Sequence, residues 1–359
     1  MANRGLLVIS AVTVFLAAVG CGSGVPASAP APTAQQLLGA GIAHDPGNGS
    51  VIAFGGQQRA GRRIGPSDLT WRWTGDRWQP VATAAPPGRS AALLAAEPSG
   101  RGLLLFGGQA ETSTLPSCPA PSTPQPCTAS GSPSRLLSDT WTFADGTWKH
   151  LPAGPGAPQQ GELLAGDPAI DAVVLVGQSL AYTPSSTQGT WKRDGNRWSL
   201  LSPTSPEQAD SMGYDPVSHL LIAYGGMQPS TPSGDAGAAG TLGYSQTWAL
   251  TGTGWVELHP ATIPGRAPGV LTPSPDLRRL LLVTTLGQTW TWTGHDWQRY
   301  QAPGATAGRG AAWAGATLAA ATDPSRHQVV LLVTSDSDSA SDQTWILSGG
   351  RWVRQPATP

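Results

Sequence analysis

Short apolar runs recur along the chain, and each begins six residues after an Asp, Glu or Ser that is followed by Pro. Proline presets φ and cannot donate to a β-ladder, while an Asp or Ser side chain can bond the backbone that follows, so these dipeptides predict turns. Apolar runs of this length between turn residues indicate buried strands rather than helices. The turns begin at Asp45, Glu97, Asp167, Asp215, Ser274 and Asp323.

A pair of tryptophans follows each of these strands, with six residues between its members and a Thr before the first. The intervening residues are rich in Gly, Asp and Asn, which tolerate positive φ, so each pair frames a predicted hairpin. Alternating Thr, aromatic and aliphatic residues on both flanks suit half-buried strands. The six pairs, which hold 12 of the 15 tryptophans, are Trp71/Trp78, Trp141/Trp148, Trp191/Trp198, Trp248/Trp255, Trp290/Trp297 and Trp345/Trp352.

Each unit therefore contains four strands: one before the proline turn, one after it, and two in the tryptophan hairpin. A four-stranded repeat of roughly 40–50 residues is the sequence sign of a β-propeller. We predict an all-β, six-bladed β-propeller of four-stranded antiparallel blades, with next to no helix and with the tryptophans packed between blades. The predicted units are 36–81, 88–152, 158–202, 208–259, 266–301 and 309–355.

Glycines after the second strand of a unit, followed by an aromatic residue, six further residues and Trp, resemble the kelch repeat, which is similar to the propeller of the galactose-oxidase superfamily. The resemblance covers roughly residues 36–355 and implies a kelch-like fold. It leaves the function open, because kelch propellers include both enzymes and binding modules. The glycine pairs are Gly55-Gly56, Gly107-Gly108 and Gly225-Gly226, whereas the third unit keeps only Gly177 and the last two units have no pair.

Residues 1–21 are predicted to be a lipoprotein signal peptide, with Arg4 as its charge, an apolar stretch, and small residues before Cys21 that resemble a lipobox. Cys21 would take the lipid; an ordinary secretory signal followed by an incidental Cys is the alternative. Residues 22–35 are rich in Ala, Pro, Ser and Gly and predict a flexible tether, and residues 36–359 form the propeller. We therefore expect an exported protein, lipid-anchored to the outer face of the cell membrane.

The other two cysteines, Cys118 and Cys127, lie in the long insert of the second unit. In an exported chain this pair predicts a disulfide. The alternative is a metal site or redox pair, which would need His or further Cys nearby, and the insert has neither.

Composition narrows the range of partners. The net charge is −1, only 12% of residues are charged, and no basic tract occurs, so nucleic acid is not expected and the membrane is expected only through the lipid. Abundant Ala, Gly and Pro, with Arg strongly preferred over Lys, predict a high-GC bacterium, specifically an actinobacterium.

The sequence offers no recognisable catalytic or metal-binding motif. Its six histidines fall at turns and strand ends of different units, and such positions are spread around a propeller. No common zinc-binding or serine-nucleophile motif occurs, and the tyrosine–cysteine set that a galactose-oxidase copper site needs is not matched. We therefore predict no metal, no cofactor and no catalytic residue.

Arg89, Arg266 and Arg309 precede the first strands of units two, five and six at corresponding positions. Such positions are related by rotation about the propeller axis, so we expect the three side chains on one face near the axis. Guanidinium groups there would bind an anionic or carboxylate-bearing ligand through bidentate hydrogen bonds, the alternative being that they cap connecting loops. Trp313 is predicted to line the axial opening as a stacking surface for a sugar or peptide.

The tryptophan frame repeats while the loops between second and third strands differ, and a rigid scaffold with variable loops is typical of binding proteins. We predict a non-catalytic, extracytoplasmic binding or interaction module that recognises a glycan, peptide or protein of the cell envelope. One alternative is a glycan-active hydrolase or lyase on a sialidase-like propeller, whose Asp-box motif is faintly resembled by Asp145-Gly146-Thr147-Trp148. The other alternative is a structural envelope scaffold.

Overall fold

The computed structural model describes residues 37–60, 63–111, 134–154, 156–179, 188–206, 209–225, 246–265, 267–300, 313, 315–335 and 342–356. Within these residues the strands form six antiparallel sheets, each following the order of the chain. Five sheets have four strands, and the first has an additional strand on its second. The prediction of a six-bladed, all-β propeller is confirmed. The predicted signal peptide, the tether and all three cysteines lie outside the described residues.

The blades, numbered I to VI in chain order, have the following strands. Blade I contains β1 (Leu38–Asp45), β2 (Ser50–Ala60), the additional β3 (Arg63–Pro66), β4 (Thr70–Trp73) and β5 (Trp78–Val81). Blade II contains β6 (Leu93–Ala96), β7 (Leu103–Glu111), β8 (Ser134–Ala144) and β9 (Thr147–Leu151). Blade III contains β10 (Gln160–Asp167), β11 (Ala172–Gln178), β12 (Gln188–Asp194) and β13 (Arg197–Ser202).

The second half of the ring repeats the same order. Blade IV contains β14 (Ala209–Asp215), β15 (Leu220–Gly225), β16 (Thr247–Thr251) and β17 (Gly254–Leu258). Blade V contains β18 (Gly269–Ser274), β19 (Arg279–Thr284), β20 (Thr289–Trp292) and β21 (Trp297–Tyr300). Blade VI contains β22 (Thr317–Asp323), β23 (Gln328–Thr334), β24 (Gln343–Ser348) and β25 (Arg351–Arg354). A 3-10 turn at Pro324–Arg326 is the one helical element in the described part of the chain.

The first strands of consecutive blades lie side by side, and β22 contacts β1, which closes the ring. Each blade is built from one continuous segment, so blades I and VI meet by packing, without an exchanged strand among the described residues. Because the strands of a blade are antiparallel and sequential, the proline turns and the hairpin turns share one end of the propeller. We call this end the turn face and the opposite end, with the second-to-third-strand loops and the blade connections, the loop face.

The apolar core is divided among the blade interfaces. Six buried clusters occur in the described residues, and each combines side chains of two neighbouring blades. Between blades I and VI, for example, Trp73 and Trp78 pack with Val330 and Ile346. The predicted packing of tryptophans between blades is thus observed, and burying these rings supplies much of the apolar area that holds neighbours together.

The Thr before each tryptophan pair forms a hydrogen bond to the next blade. The second tryptophan of a blade donates its indole Nε1–H to the Oγ1 of the preceding blade's Thr, at distances between 2.8 and 3.2 Å. These six bonds are Trp148–Thr70, Trp198–Thr140, Trp255–Thr190, Trp297–Thr247, Trp352–Thr289 and, across the closure, Trp78–Thr344. A buried indole N–H needs such an acceptor, which explains why Thr accompanies the tryptophans in every repeat.

The proline turns form as the sequence predicts. The Asp45 carboxylate accepts a hydrogen bond from the backbone N–H of Gly47 at 2.9 Å, and Asp167 accepts one from Ala169 at 3.0 Å. The turn of blade VI closes with His327 in the left-handed region, at φ 51°. These bonds give each of the two buried carboxylates a backbone partner and fix where the second strand begins.

Candidate functional site

Arg89 lies on the loop face, but its side chain is fully buried and already paired. Its guanidinium binds the Asp139 carboxylate in bidentate fashion, with Nη1···Oδ1 at 2.6 Å and Nη2···Oδ2 at 3.0 Å. It also donates to the carbonyls of Pro87 and Gly107, each at 3.0 Å. Burial raises the pKa of Asp139, but the hydrogen bonds, above all those from Arg89, outweigh this and lower the pKa below its ordinary value. Arg89 is therefore not accessible to a ligand. It caps a connecting loop, which was the alternative to ligand binding.

Arg89 also ties blade I to blade II through its backbone. Its N–H donates to the Ser67 carbonyl and its own carbonyl accepts from Gly56, both in blade I, while its side chain binds blade II. The chain passes so close that a Cβ on Gly55 would lie 2.4 Å from the Arg89 carbonyl oxygen, and Gly55 has φ 75°. The first glycine pair is explained by this crossing, because only glycine combines that φ with that approach.

Trp313 is buried rather than open to the axis. Its ring meets the edge of Trp345 with ring centres 5.8 Å apart, and it belongs to the core cluster between blades V and VI. The predicted stacking role for Trp313 is therefore corrected to core packing. Arg266 and Arg309 lie outside the described residues, so their position near the axis stays a prediction.

One position of the repeat is apolar in five blades and charged in blade III. This position is two residues after the first tryptophan, and it pairs across the hairpin with the second tryptophan. In blade III it is Arg193, which is also buried, with 5% of its surface exposed. A cation thus stands where the other blades place an interblade apolar side chain. Their buried residues at this position are Trp73, Phe143, Leu250, Trp292 and Leu347.

The Arg193 guanidinium forms no hydrogen bond within the part of the chain that the structure describes. This holds for all three of its nitrogens, Nε, Nη1 and Nη2. Its central carbon lies 5.5 Å from the centre of the Trp198 ring, a cation–π contact. Burial lowers the pKa of Arg193 and the carboxylate of Glu97 opposes this, but an arginine does not lose its proton in a protein. A buried cation without a protein partner costs several kcal/mol, of which the Trp198 contact returns about 1–2 kcal/mol.

Arg193 lines a cleft of about 320 Å³ between blades II and III at the turn face. This volume lies at the lower end of the range for small-ligand sites. Blade II provides its proline turn and its outer hairpin, and blade III provides the turns that flank Arg193. The polar side chains that share this lining are Glu97, Ser99, Arg101, Thr142, Lys149, Asp171 and Asn196.

The charges in the cleft are unevenly partnered. Glu97 is engaged within blade II, since Arg101 lies 3.9 Å from it and Thr142 donates to it at 3.5 Å. Lys149 is exposed and forms no ion pair with any described residue. Three cationic and two anionic side chains give the lining a net charge of +1. The lining therefore favours an anion. The Arg193 guanidinium lies beside it, with its nitrogens almost fully buried and without an acceptor among the described residues.

Sequence analysis missed Arg193. The signal was present, because aligning the six repeats on their tryptophans shows one charged residue in an otherwise apolar column. The prediction instead followed the variable loops and placed the site on the loop face. The cleft lies on the opposite end, among the regular turns.

No protein-family model matches the chain. No curated protein matches it either. The kelch resemblance consequently stays a prediction, and the propeller assignment stands on the strand pairing.

Three of the solved structures that match the chain show how distant the likeness is. The tricorn protease matches at 10% identity and TM-score 0.48 over 91% of this chain, which spans only 26% of that protease chain. SapL1 lectin in complex with alpha methyl fucoside matches at 12% identity and TM-score 0.46, over 90% of this chain and 97% of the lectin. A point mutant of Aleuria aurantia lectin in complex with alpha-methyl-L-fucoside matches at 12% identity and TM-score 0.48, over 91% of this chain and 97% of the lectin. Likeness at this level does not transfer a ligand or an activity.

The described residues contain no group of three or more His, Cys, Asp or Glu side chains arranged to hold a metal ion. No helix in the same part of the chain has the length and apolar character needed to cross a membrane.

Proposed function

We propose that this protein is a binding module of the cell envelope, exported and lipid-anchored, that holds its ligand in the cleft between blades II and III. The observation that carries the proposal is the unpartnered guanidinium of Arg193. A buried cation at a position that five blades fill with Trp, Phe or Leu costs more than its contact with Trp198 returns. A ligand that accepts hydrogen bonds from the guanidinium would offset the cost of burying it.

The position of the cleft supports a binding role as well. Its walls belong to two rigid blades that are joined by the Trp198–Thr140 hydrogen bond and by a shared apolar cluster. A site built on packed strands keeps its donors in place, so binding requires little ordering of the protein.

The test is an array of envelope glycans, peptides and proteins probed with the full-length protein in detergent. Arg193→Leu restores the apolar residue of the other blades and should abolish the binding seen with the wild type. Lys192→Leu is the matched control, because it removes the same charge from the same strand outside the cleft, and it should bind as the wild type does. Identical binding profiles for the wild type and Arg193→Leu would contradict the proposal. Mass spectrometry of the bound glycans separates binding from the enzymatic alternative, which would release fragments.

The anchor is tested separately. Cys21→Ala removes the residue that would take the lipid, so the variant should leave the membrane fraction of expressing cells or accumulate with its signal peptide uncleaved. Unchanged cleavage together with unchanged membrane retention would show that another element holds the protein. Immunoblots of fractionated cells provide the measurement.

A further inference from the structure

The protein contains its own example of how a buried guanidinium is satisfied. Arg89 is fully buried, and its partner is the carboxylate of Asp139, bound by two near-parallel hydrogen bonds of 2.6 and 3.0 Å. Arg193 is buried to a similar degree but has no such carboxylate among the described residues. A carboxylate has two coplanar oxygens at the spacing of the guanidinium fork, and so it is the acceptor that best fits Arg193. The three guanidinium nitrogens are almost fully buried, so the side chain would have to turn toward the cleft to meet it.

The charge of the cleft favours a ligand with a single negative charge. Arg193, Lys149 and Arg101 are opposed by Glu97 and Asp171, which leaves a net charge of +1. One carboxylate neutralises the lining, whereas a phosphate monoester would bring a second charge close to two carboxylates. Repulsion inside a partly desolvated cleft is stronger than in water, which disfavours the dianion.

The remaining lining suits a ligand rich in hydroxyl groups. Asn196 supplies an amide, and Lys149 and Asp171 supply a donor and an acceptor at the exposed rim. The Thr142 hydroxyl already donates to the Leu103 carbonyl, so it can only accept a hydrogen bond from a ligand. These groups can exchange hydrogen bonds with several hydroxyls in different directions. A volume of about 320 Å³ fits a ligand of one or two sugar rings.

We infer that the cleft between blades II and III binds a sugar acid, namely a uronic acid residue of a glycan, whose carboxylate bonds the Arg193 guanidinium. This inference rests on the proposed function and narrows its ligand class. Arg193 would contribute the paired N–H groups and Trp198 would hold the guanidinium plane. The hydroxyl groups of the sugar would face the rim.

Titration calorimetry with the full-length protein in detergent tests the inference with four probes. Methyl glucuronide carries one carboxylate, its methyl ester is neutral, and methyl glucoside 6-phosphate is a dianion. The fourth probe is an acetylated and amidated peptide with one glutamate. The methyl glucuronide should bind, the ester should not, and the phosphate and the peptide should bind at least about tenfold more weakly, since losing one charge-assisted hydrogen bond has at least that effect.

Two variants distinguish the guanidinium fork from charge alone. Arg193→Lys keeps the charge but loses the paired donors, and it should weaken methyl glucuronide binding about ten- to a hundredfold. Glu97→Gln removes one carboxylate from the lining, and it should improve binding of the 6-phosphate relative to methyl glucuronide. A lysine variant with wild-type affinity, or a Glu97→Gln variant with unchanged preference, would overturn the assigned contacts.

The outcomes separate this inference from the function on which it rests. Equal or tighter binding of the ester, the phosphate or the peptide overturns the sugar-acid assignment. If no sugar acid binds while an array ligand still requires Arg193, the inference fails and the proposed function stands. If methyl glucuronide binds Arg193→Leu as well as it binds the wild type, the cleft is not its site and the inference fails; the proposed function fails with it only if the array profile of Arg193→Leu also equals that of the wild type.

Discussion

Two buried arginines of this protein occupy opposite faces and have opposite surroundings. Arg89 is surrounded by acceptors, including both oxygens of Asp139, and it stabilises the junction of blades I and II. Arg193 has a tryptophan face beside it and no acceptor within the described residues. The same side chain is thus paired with a carboxylate in one place and without an acceptor among the described residues in the other. The difference lies in whether a carboxylate lies within hydrogen-bonding distance of the guanidinium, which the identity of the arginine alone does not reveal.

At the scale of the strand, each blade is fastened to its neighbour by one indole hydrogen bond within an apolar cluster. The donor lies on the fourth strand and the acceptor on the third strand of the preceding blade, as in the Trp198–Thr140 bond of 3.2 Å. The bond is directional while the surrounding packing is not. It therefore fixes how far one blade is rotated against the next, and its repetition keeps the six interfaces alike.

Thr140→Val tests this bond with little change in shape. The variant leaves the Nε1–H of Trp198 buried without an acceptor, and the free energy of unfolding should fall by about 1–3 kcal/mol. Thr317→Val, at an exposed position of β22, is the control and should change it by no more than about 0.5 kcal/mol. Chemical denaturation followed by tryptophan fluorescence provides the comparison. Equal midpoints for the two variants would show that the indole bond does not hold the blades together.

At the scale of the molecule, the sequence predicted the architecture because every blade repeats the same local signals. Proline turns, apolar strands and framed tryptophans each have a direct physical reading, and their sixfold repetition left little room for another fold. The site was not predicted in the same way. Arg89 and Arg193 look alike in a sequence, and their roles depend on contacts between segments that the fold brings together. Trp313 was likewise assigned to the axis, although the packing against Trp345 buries it.

The ring is closed by contacts between residues that lie far apart in the sequence, so the sequence alone does not reveal them. Blades I and VI are joined by the Trp78–Thr344 bond of 3.1 Å, by a bond of 2.9 Å from the Ser325 hydroxyl to the Gly49 carbonyl, and by a shared apolar cluster. The interface between blades I and VI thus has the same indole hydrogen bond and apolar packing as the other interfaces. Arg193 departs from this pattern, because the same position is apolar in the other five blades.

The central claim is that Arg193 is retained for a ligand and not for the fold. The most direct test is the unfolding free energy of Arg193→Leu measured without ligand beside the wild type and Lys192→Leu. Replacing an unpartnered buried cation with the apolar residue that blades IV and VI carry should raise the stability by about 1–4 kcal/mol, while Lys192→Leu stays close to the wild type. A clear loss of stability in Arg193→Leu would show that the guanidinium serves the fold, and it would contradict the account.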